Sequence, residues 1–177
     1  AGIWRTDGTA AGTVQLLNLN TYFAFGQYNS EKLFALNGQL YFVEERPGAT
    51  TTSLYRLGAG NNEILIYQDI SFASDVVVIN NVGYFMAQPN NTPSAVGTEL
   101  WRTDGTTAGT YMVKDINPGN GGSNPEWLTN VNGTLFFSAW DGVNGGELWK
   151  SDGTAAGTVM VKDIYTGDNS TTQKPTQ

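Results

Sequence analysis

Apolar and aromatic residues in this chain fall in short runs, each closed by Asn, Gly, Asp or Thr, and the last part shows the pattern best. Glu126 to Val131 alternates weakly and predicts a strand, A. Asn132-Gly133 follows, the strongest short hairpin signal. Thr134 to Trp140, rich in aromatics and β-formers, predicts strand B. Asp141 to Gly146 reads as a loop, Glu147 to Ser151 as strand C, Asp152 to Gly157 as a tight turn and Thr158 to Ile164 as strand D. Upstream the pattern returns. Val76 to Ile79 and Leu33 to Leu36 take the place of A, and Val82 to Met86 and Leu40 to Val43 that of B. The turns between them are Asn80-Asn81 and Asn37-Gly38. No stretch carries helical periodicity.

The residues themselves recur as well. Glu99 to Ile116 returns almost unchanged as Glu147 to Ile164, Ile3 to Thr13 is a third copy, and Ser53 to Ile70 is a degenerate fourth. Arg5, Arg56, Arg102 and Lys150 hold one equivalent position, at intervals of 51, 46 and 48. A repeated four-stranded antiparallel meander of about 40–50 residues is the pattern of a β-propeller blade. The expected fold is therefore all-β, a β-propeller-type array of about three and a half blades. A half blade covers 1–20, full blades cover 21–70, 71–116 and 117–164, and 165–177 is a polar tail or linker. Stacking of blades buries both sheet faces, which accounts for strands such as Leu135-Phe136-Phe137 that are apolar on both sides. A β-solenoid is the alternative, though it does not need two hairpin turns per repeat. Three and a half blades leave sheet faces open. The reading favours a piece of a longer array. Closure of two copies into a seven-bladed ring is the other solution.

Composition narrows the chemistry. Cysteine and histidine are both absent, which excludes thiol chemistry, disulfides, His-based triads and ordinary zinc sites. The net charge is −7 and the nine basic residues never cluster, which argues against nucleic acid and anionic membrane surfaces. No run approaches the apolar length of a membrane-spanning helix, so no membrane insertion is expected. Charged residues are only 14 %, so Asn, Thr, Ser, Gln and Gly must cover the surface. Asn90, Asn132 and Asn169 begin Asn-x-Ser/Thr sequons, but at Asn132 turn chemistry is the simpler reading.

The repeat ELWRTDGTTAGTYMVKDI, with its sister ELWKSDGTAAGTVMVKDI, resembles one found in large secreted and cell-surface bacterial proteins. The resemblance implies β-propeller arrays of adhesin or exoprotein type and a secreted or surface location. It supplies no catalytic residues. The first expectation for function is thus a non-catalytic extracellular module for bacterial surface adhesion, display or recognition. Its partners would be a surface glycan or protein, with self-association or further repeats of the same protein. A lectin-like glycan binder, calcium-assisted or not, and a structural or filament-forming subunit are the alternatives.

A residue present in every copy reads as scaffold. Asp7, Asp104 and Asp152 each precede Gly in the C–D turn. Trp4, Trp101 and Trp149, with Tyr55 in the degenerate copy, read as packing anchors between blades. Asp69, Asp115 and Asp163 close strand D and are expected to bond backbone there. Among the non-periodic acids nothing pairs two carboxylates across a cleft, and Glu44-Glu45 point to opposite faces of a strand. No enzymatic activity is expected. The B–C and D–A connections vary most and share one rim, and varied loops on a rigid scaffold are where binding usually resides. Four residues there are ligand-binding candidates: Trp127 and Trp140 to stack a sugar, Asp141 and Asn144 to bond its hydroxyls. Asp141, Asn144 and Glu147 also offer oxygen ligands of the kind calcium takes, without the spacing of an EF-hand loop. No other cofactor is expected.

Overall fold

The computed structural model describes residues 2–18, 32–45, 51–90 and 96–164. All regular structure among them is β, in antiparallel pairs. A two-stranded piece, β1 (Gly2–Arg5) and β2 (Val14–Asn18), comes first. Unit 1 comprises β3 (Leu33–Leu36), β4 (Gln39–Glu45), β5 (Thr52–Leu57) and β6 (Glu63–Phe72). Unit 2 comprises β7 (Val77–Ile79), β8 (Val82–Pro89), β9 (Glu99–Thr103) and β10 (Tyr111–Lys114). Unit 3 comprises β11 (Glu126–Val131), β12 (Thr134–Trp140), β13 (Gly146–Ser151) and β14 (Val159–Lys162). The predicted A to D order therefore appears in three successive meanders. The expected tail, 165–177, and most of the segment leading into unit 1 lie outside the described residues.

The hairpins follow from turn chemistry. Asn37 and Gly38 have φ of 51° and 70°, and Asn132 and Gly133 have 50° and 85°. Two successive positive φ values match the right-handed twist of the flanking strands. In unit 2, Asn81 takes the glycine's place at φ 61°.

One expectation is corrected. Each unit was to form its own sheet, and unit 3 does, in the order β11-β12-β13-β14. Units 1 and 2 instead share one eight-stranded sheet. The cause is that β6 continues past the expected boundary at residues 70 and 71. Its last residues, Ile70 to Phe72, pair with Pro89 to Ala87 of β8, while β7 pairs with the other end of β8. The end of β6 and β7 together thus fill the place that one strand, β11, fills in unit 3.

Alternating residues of each B strand serve two different cores. On the forward face stand Tyr41, Tyr84 and Phe136, and on the rear face Phe42, Phe85 and Phe137; the register makes these positions equivalent. The rear face of unit 1, with Phe42 and Tyr55, packs on Ile3 and Leu17 of the opening hairpin. Phe34, Leu36, Tyr41 and Leu54 of its forward face share Tyr67, Phe72 and Val76 with the rear face of unit 2, where Phe85, Ala87 and Trp101 lie. Phe72 stacks on Phe85 with ring centroids 4.3 Å apart, and Tyr67 meets the edge of Trp101 at 5.6 Å. The forward face of unit 2 joins the rear face of unit 3 in the largest core, through Ile79, Tyr84, Leu100 and Val113 against Leu135, Phe137, Ala139 and Trp149. Trp101 and Trp149 are packing anchors between units, as the repeat predicts.

The C–D turn is a small hydrogen-bonded device built three times. In unit 2, Asp104 Oδ1 accepts from the Thr106 amide and hydroxyl at 2.9 and 2.7 Å, and Thr106 Oγ1 accepts from the Gly109 amide. Thr103 and Thr110 join their hydroxyls at 2.7 Å beneath it. Asp7 and Asp152 make the same bonds in their own turns. Gly109 is required because a Cβ there would lie on the Asp104 carboxylate. Gly109→Ala must displace that carboxylate from Thr106. It should lower stability by roughly 1–3 kcal/mol, the cost of a lost charged hydrogen bond, measurable by urea unfolding.

Candidate functional site

The varied connections do converge. The segment 117–125, which leads from β10 into β11, lies between the B–C loops of two units. Toward unit 2, the Gly97 amide donates to the Gly119 carbonyl at 3.1 Å and the Asn124 amide to the Thr98 carbonyl at 3.0 Å. Gly97 and Gly122 approach so closely that a Cβ on either would meet the other's backbone. Toward unit 3, the Trp140 amide donates to the Ser123 carbonyl at 2.9 Å, and the Asn117 side chain lies against Gly142. The stereotyped turns make different contacts: Asn80 of one A–B turn reaches the Gly133 carbonyl of the next, while Tyr41 of β4 and Arg102 Nη1 of β9 reach the Gly105 and Gly153 carbonyls of C–D turns.

Glu99 is the organiser of the varied rim. It opens β9 and is fully buried. Its Oε2 accepts from the Ile116 amide at 3.1 Å and from the Ser123 hydroxyl, and its Oε1 from the amides of Ser123 at 2.8 Å and Asn117 at 3.4 Å. One carboxylate thus satisfies backbone donors at both ends of a loop that has no strand partner. Asn117 Nδ2 adds a bond to the Gly122 carbonyl at 2.8 Å. Glu147, the equivalent residue of unit 3, accepts from the Ile164 amide at 2.9 Å. In unit 1 the equivalent is Ser53, and the neighbouring Thr52 takes over by donating its hydroxyl to the Ile70 carbonyl. The sequence alone did not single out Glu99 as the residue that holds this loop. The signal was present in Glu99-Leu100-Trp101 and Glu147-Leu148-Trp149, where a repeated acid directly precedes two large apolar residues.

The four predicted residues are distributed unequally. Asp141 and Asn144 are together: Asp141 Oδ1 accepts from the amides of Val143 and Asn144, and Oδ2 from Asn144 Nδ2 at 2.7 Å. That carboxylate closes its own loop, and both side chains are half-buried. Trp140 is half-buried at the end of β12, beside the same loop. Trp127 sits on a bulge of β11 at φ 61° and is 68 % exposed, making it the most accessible large apolar side chain among the described residues. Among these residues no group of three or more acids is arranged to hold a metal ion. Asp115 and Asp163 depart from expectation: a buried oxygen of each lacks a hydrogen-bond partner, as does the indole nitrogen of Trp101 and of Trp149.

Acid–base behaviour separates the two kinds of carboxylate. Burial pushes Glu99 above its ordinary 4.5, against the pull of its four hydrogen bonds. The Thr106 hydroxyl and amide hold Asp104 below 3.8, and Thr9 and Thr154 do the same for Asp7 and Asp152. Burial raises Asp141 too, but the bonds from Asn144 and Val143 outweigh it and the net shift is downward. The four aspartates therefore contribute stability that is present above about pH 4 and lost as pH falls through their lowered values. Glu99 has the opposite sign: stability declines as pH rises from 4.5 to its raised value. Asp104→Asn should flatten the acid limb of the stability–pH curve, followed by urea midpoints between pH 2 and 5; an unchanged limb would remove the turn from this account.

No family model, curated protein or solved structure matches this chain.

Proposed function

We propose that this chain is a β-propeller-type stack of four-stranded blades, and that it serves as a non-catalytic extracellular module for bacterial surface adhesion, display or recognition. The observation that carries this reading is the convergence of varied loops from neighbouring units onto one rim, while the invariant turns are spent on joining units. A rigid frame with one variable edge is the usual architecture of recognition. The resemblance of the repeat to secreted bacterial arrays supports the location and the absence of chemistry.

Glycan is the ligand class that the rim favours. Trp127 offers an exposed aromatic face, and the 117–125 and 141–145 loops carry exposed Asn120 and Asn124 and half-buried Asp141 and Asn144. The Asp141–Asn144 bonding favours a calcium-independent mode, since that carboxylate already has donors from its own loop. A glycan array, probed with and without chelator, tests this. The expected result is hits that survive chelation and fall at least tenfold with Trp127→Ala, at unchanged melting temperature. An absence of hits in both conditions would remove the glycan reading.

A further inference from the structure

We propose that the two ends of the stack are complementary, and that a second copy of this chain docks its Trp4 end on the open forward face of unit 3, head to tail. The template for this contact is inside the molecule. Register makes Leu54, Leu100 and Leu148 equivalent; the first two are 0 % exposed under the next unit, whereas Leu148 is 39 % exposed. Leu36 and Ile79 are buried while Val131 is exposed, and Ile66 and Val113 are buried while Val161 is exposed. Among the described residues, unit 3 thus carries the same apolar face as units 1 and 2 without its cover.

The opposite end shows the converse. Trp101 and Trp149 are 4 % and 6 % exposed on the rear faces of units 2 and 3, but Trp4, on the rear face of the opening hairpin, is 59 % exposed. Beneath the C–D turns, Thr103–Thr110 and Ser151–Thr158 are buried hydroxyl pairs, whereas the same pair at Thr6–Thr13 is exposed. A Cβ on Gly105 would strike Tyr41, and one on Gly153 would strike Tyr84, yet no described residue lies within 4 Å of one on Gly8.

The polar contacts are also left half-made. Lys114 Nζ donates to the Thr158 carbonyl of the next unit at 2.9 Å and lies 5.7 Å from the centre of the Trp149 ring. Its equivalent, Lys162, is exposed beside Leu148, and the matching targets are the Thr13 carbonyl and Trp4. Lys150 stands where Arg102 reaches the Gly153 carbonyl, and its match is Gly8, next to Asp7. Apolar face meets apolar face, Lys150 meets the turn that carries Asp7, and Lys162 meets the Thr13 carbonyl beside Trp4. A heterologous contact of this kind closes a ring if its rotation allows and otherwise extends a filament.

Sedimentation velocity on the 177-residue chain tests the proposal, using Trp4→Lys to block one end and Leu148→Lys the other. Both positions are exposed enough to accept lysine, and Val161→Lys repeats the second block should Leu148→Lys unfold. The wild type should associate with rising concentration, each variant alone should stay monomeric, and their mixture should form a one-to-one dimer and nothing larger. A wild type that stays monomeric, a blocked variant that still self-associates, or a mixture without dimer would each overturn it.

Discussion

Glu99→Ala is expected to lower the unfolding free energy by about 4 kcal/mol, since it leaves three backbone amides without an acceptor at roughly 1–3 kcal/mol each and solvent recovers part of that loss. The substitution removes the carboxylate that holds Ile116, Asn117 and Ser123. Glu99→Gln should cost less, about 2 kcal/mol. Its amide group must turn an N–H toward a backbone donor, because each carboxylate oxygen now faces at least one. The two variants also separate charge from geometry. Removal of the buried negative charge favours Gln, as the raised pKa of Glu99 requires. But Gln loses acceptor capacity and turns an N–H toward a backbone donor, and this mismatch makes the net change destabilising. Chemical denaturation at pH 7 reads both, and hydrogen exchange across 117–124 reads the loop itself. A loss below about 1 kcal/mol for alanine, within the range of an ordinary surface change, would show that the rim does not depend on this residue.

The second large effect compares one substitution at two equivalent places. Leu100→Ala should cost about 3 kcal/mol, as large-to-small changes in a closed core do. Leu148→Ala should cost less than about 1 kcal/mol in the monomer, because that side chain is already half in water. The sequences around the two are nearly identical, Glu-Leu-Trp-Arg and Glu-Leu-Trp-Lys. Intrinsic strand preference therefore cancels, and the difference measures what the next unit adds. Equal costs, whether both large or both small, would mean that Leu100 gains nothing from unit 3. Measurements belong at low concentration, where any association through Leu148 is absent.

Much of the fold was legible in the sequence because its signals are local. Asn37-Gly38 and Asn132-Gly133 demand positive φ at two successive residues, which leaves a hairpin as the natural conformation. Strands β11 and β12 coincide with the expected runs for the same reason, and the Asp-Gly turns formed as their composition predicts. The joining of units 1 and 2 was not legible. It depends on where β6 stops, and Ile70-Ser71-Phe72 reads equally well as the end of one strand or the start of another. Pairing decides that, and pairing is non-local. The same limit applies to the candidate site. Asp141 and Asn144 are neighbours in sequence, and their bond follows from spacing. That 117–125 would bridge Gly97 and Trp140 required knowing which units stack and in what direction. Glu99 was overlooked because repetition was equated with scaffold, whereas here the repeated acid is what positions the varied loop.

Inter-unit stacking is most directly tested by proton–proton NMR contacts between residues far apart in sequence. The Tyr41 ring lies on Gly105, and the Tyr84 ring on Gly153, each joining the B strand of one unit to the C–D turn of the next. Cross-peaks are expected from both tyrosine rings to the α-protons of the matching glycines, with no counterpart at Gly8. Absence of both, or a Tyr84 ring that instead contacts Gly105 in its own unit, would contradict the stacking.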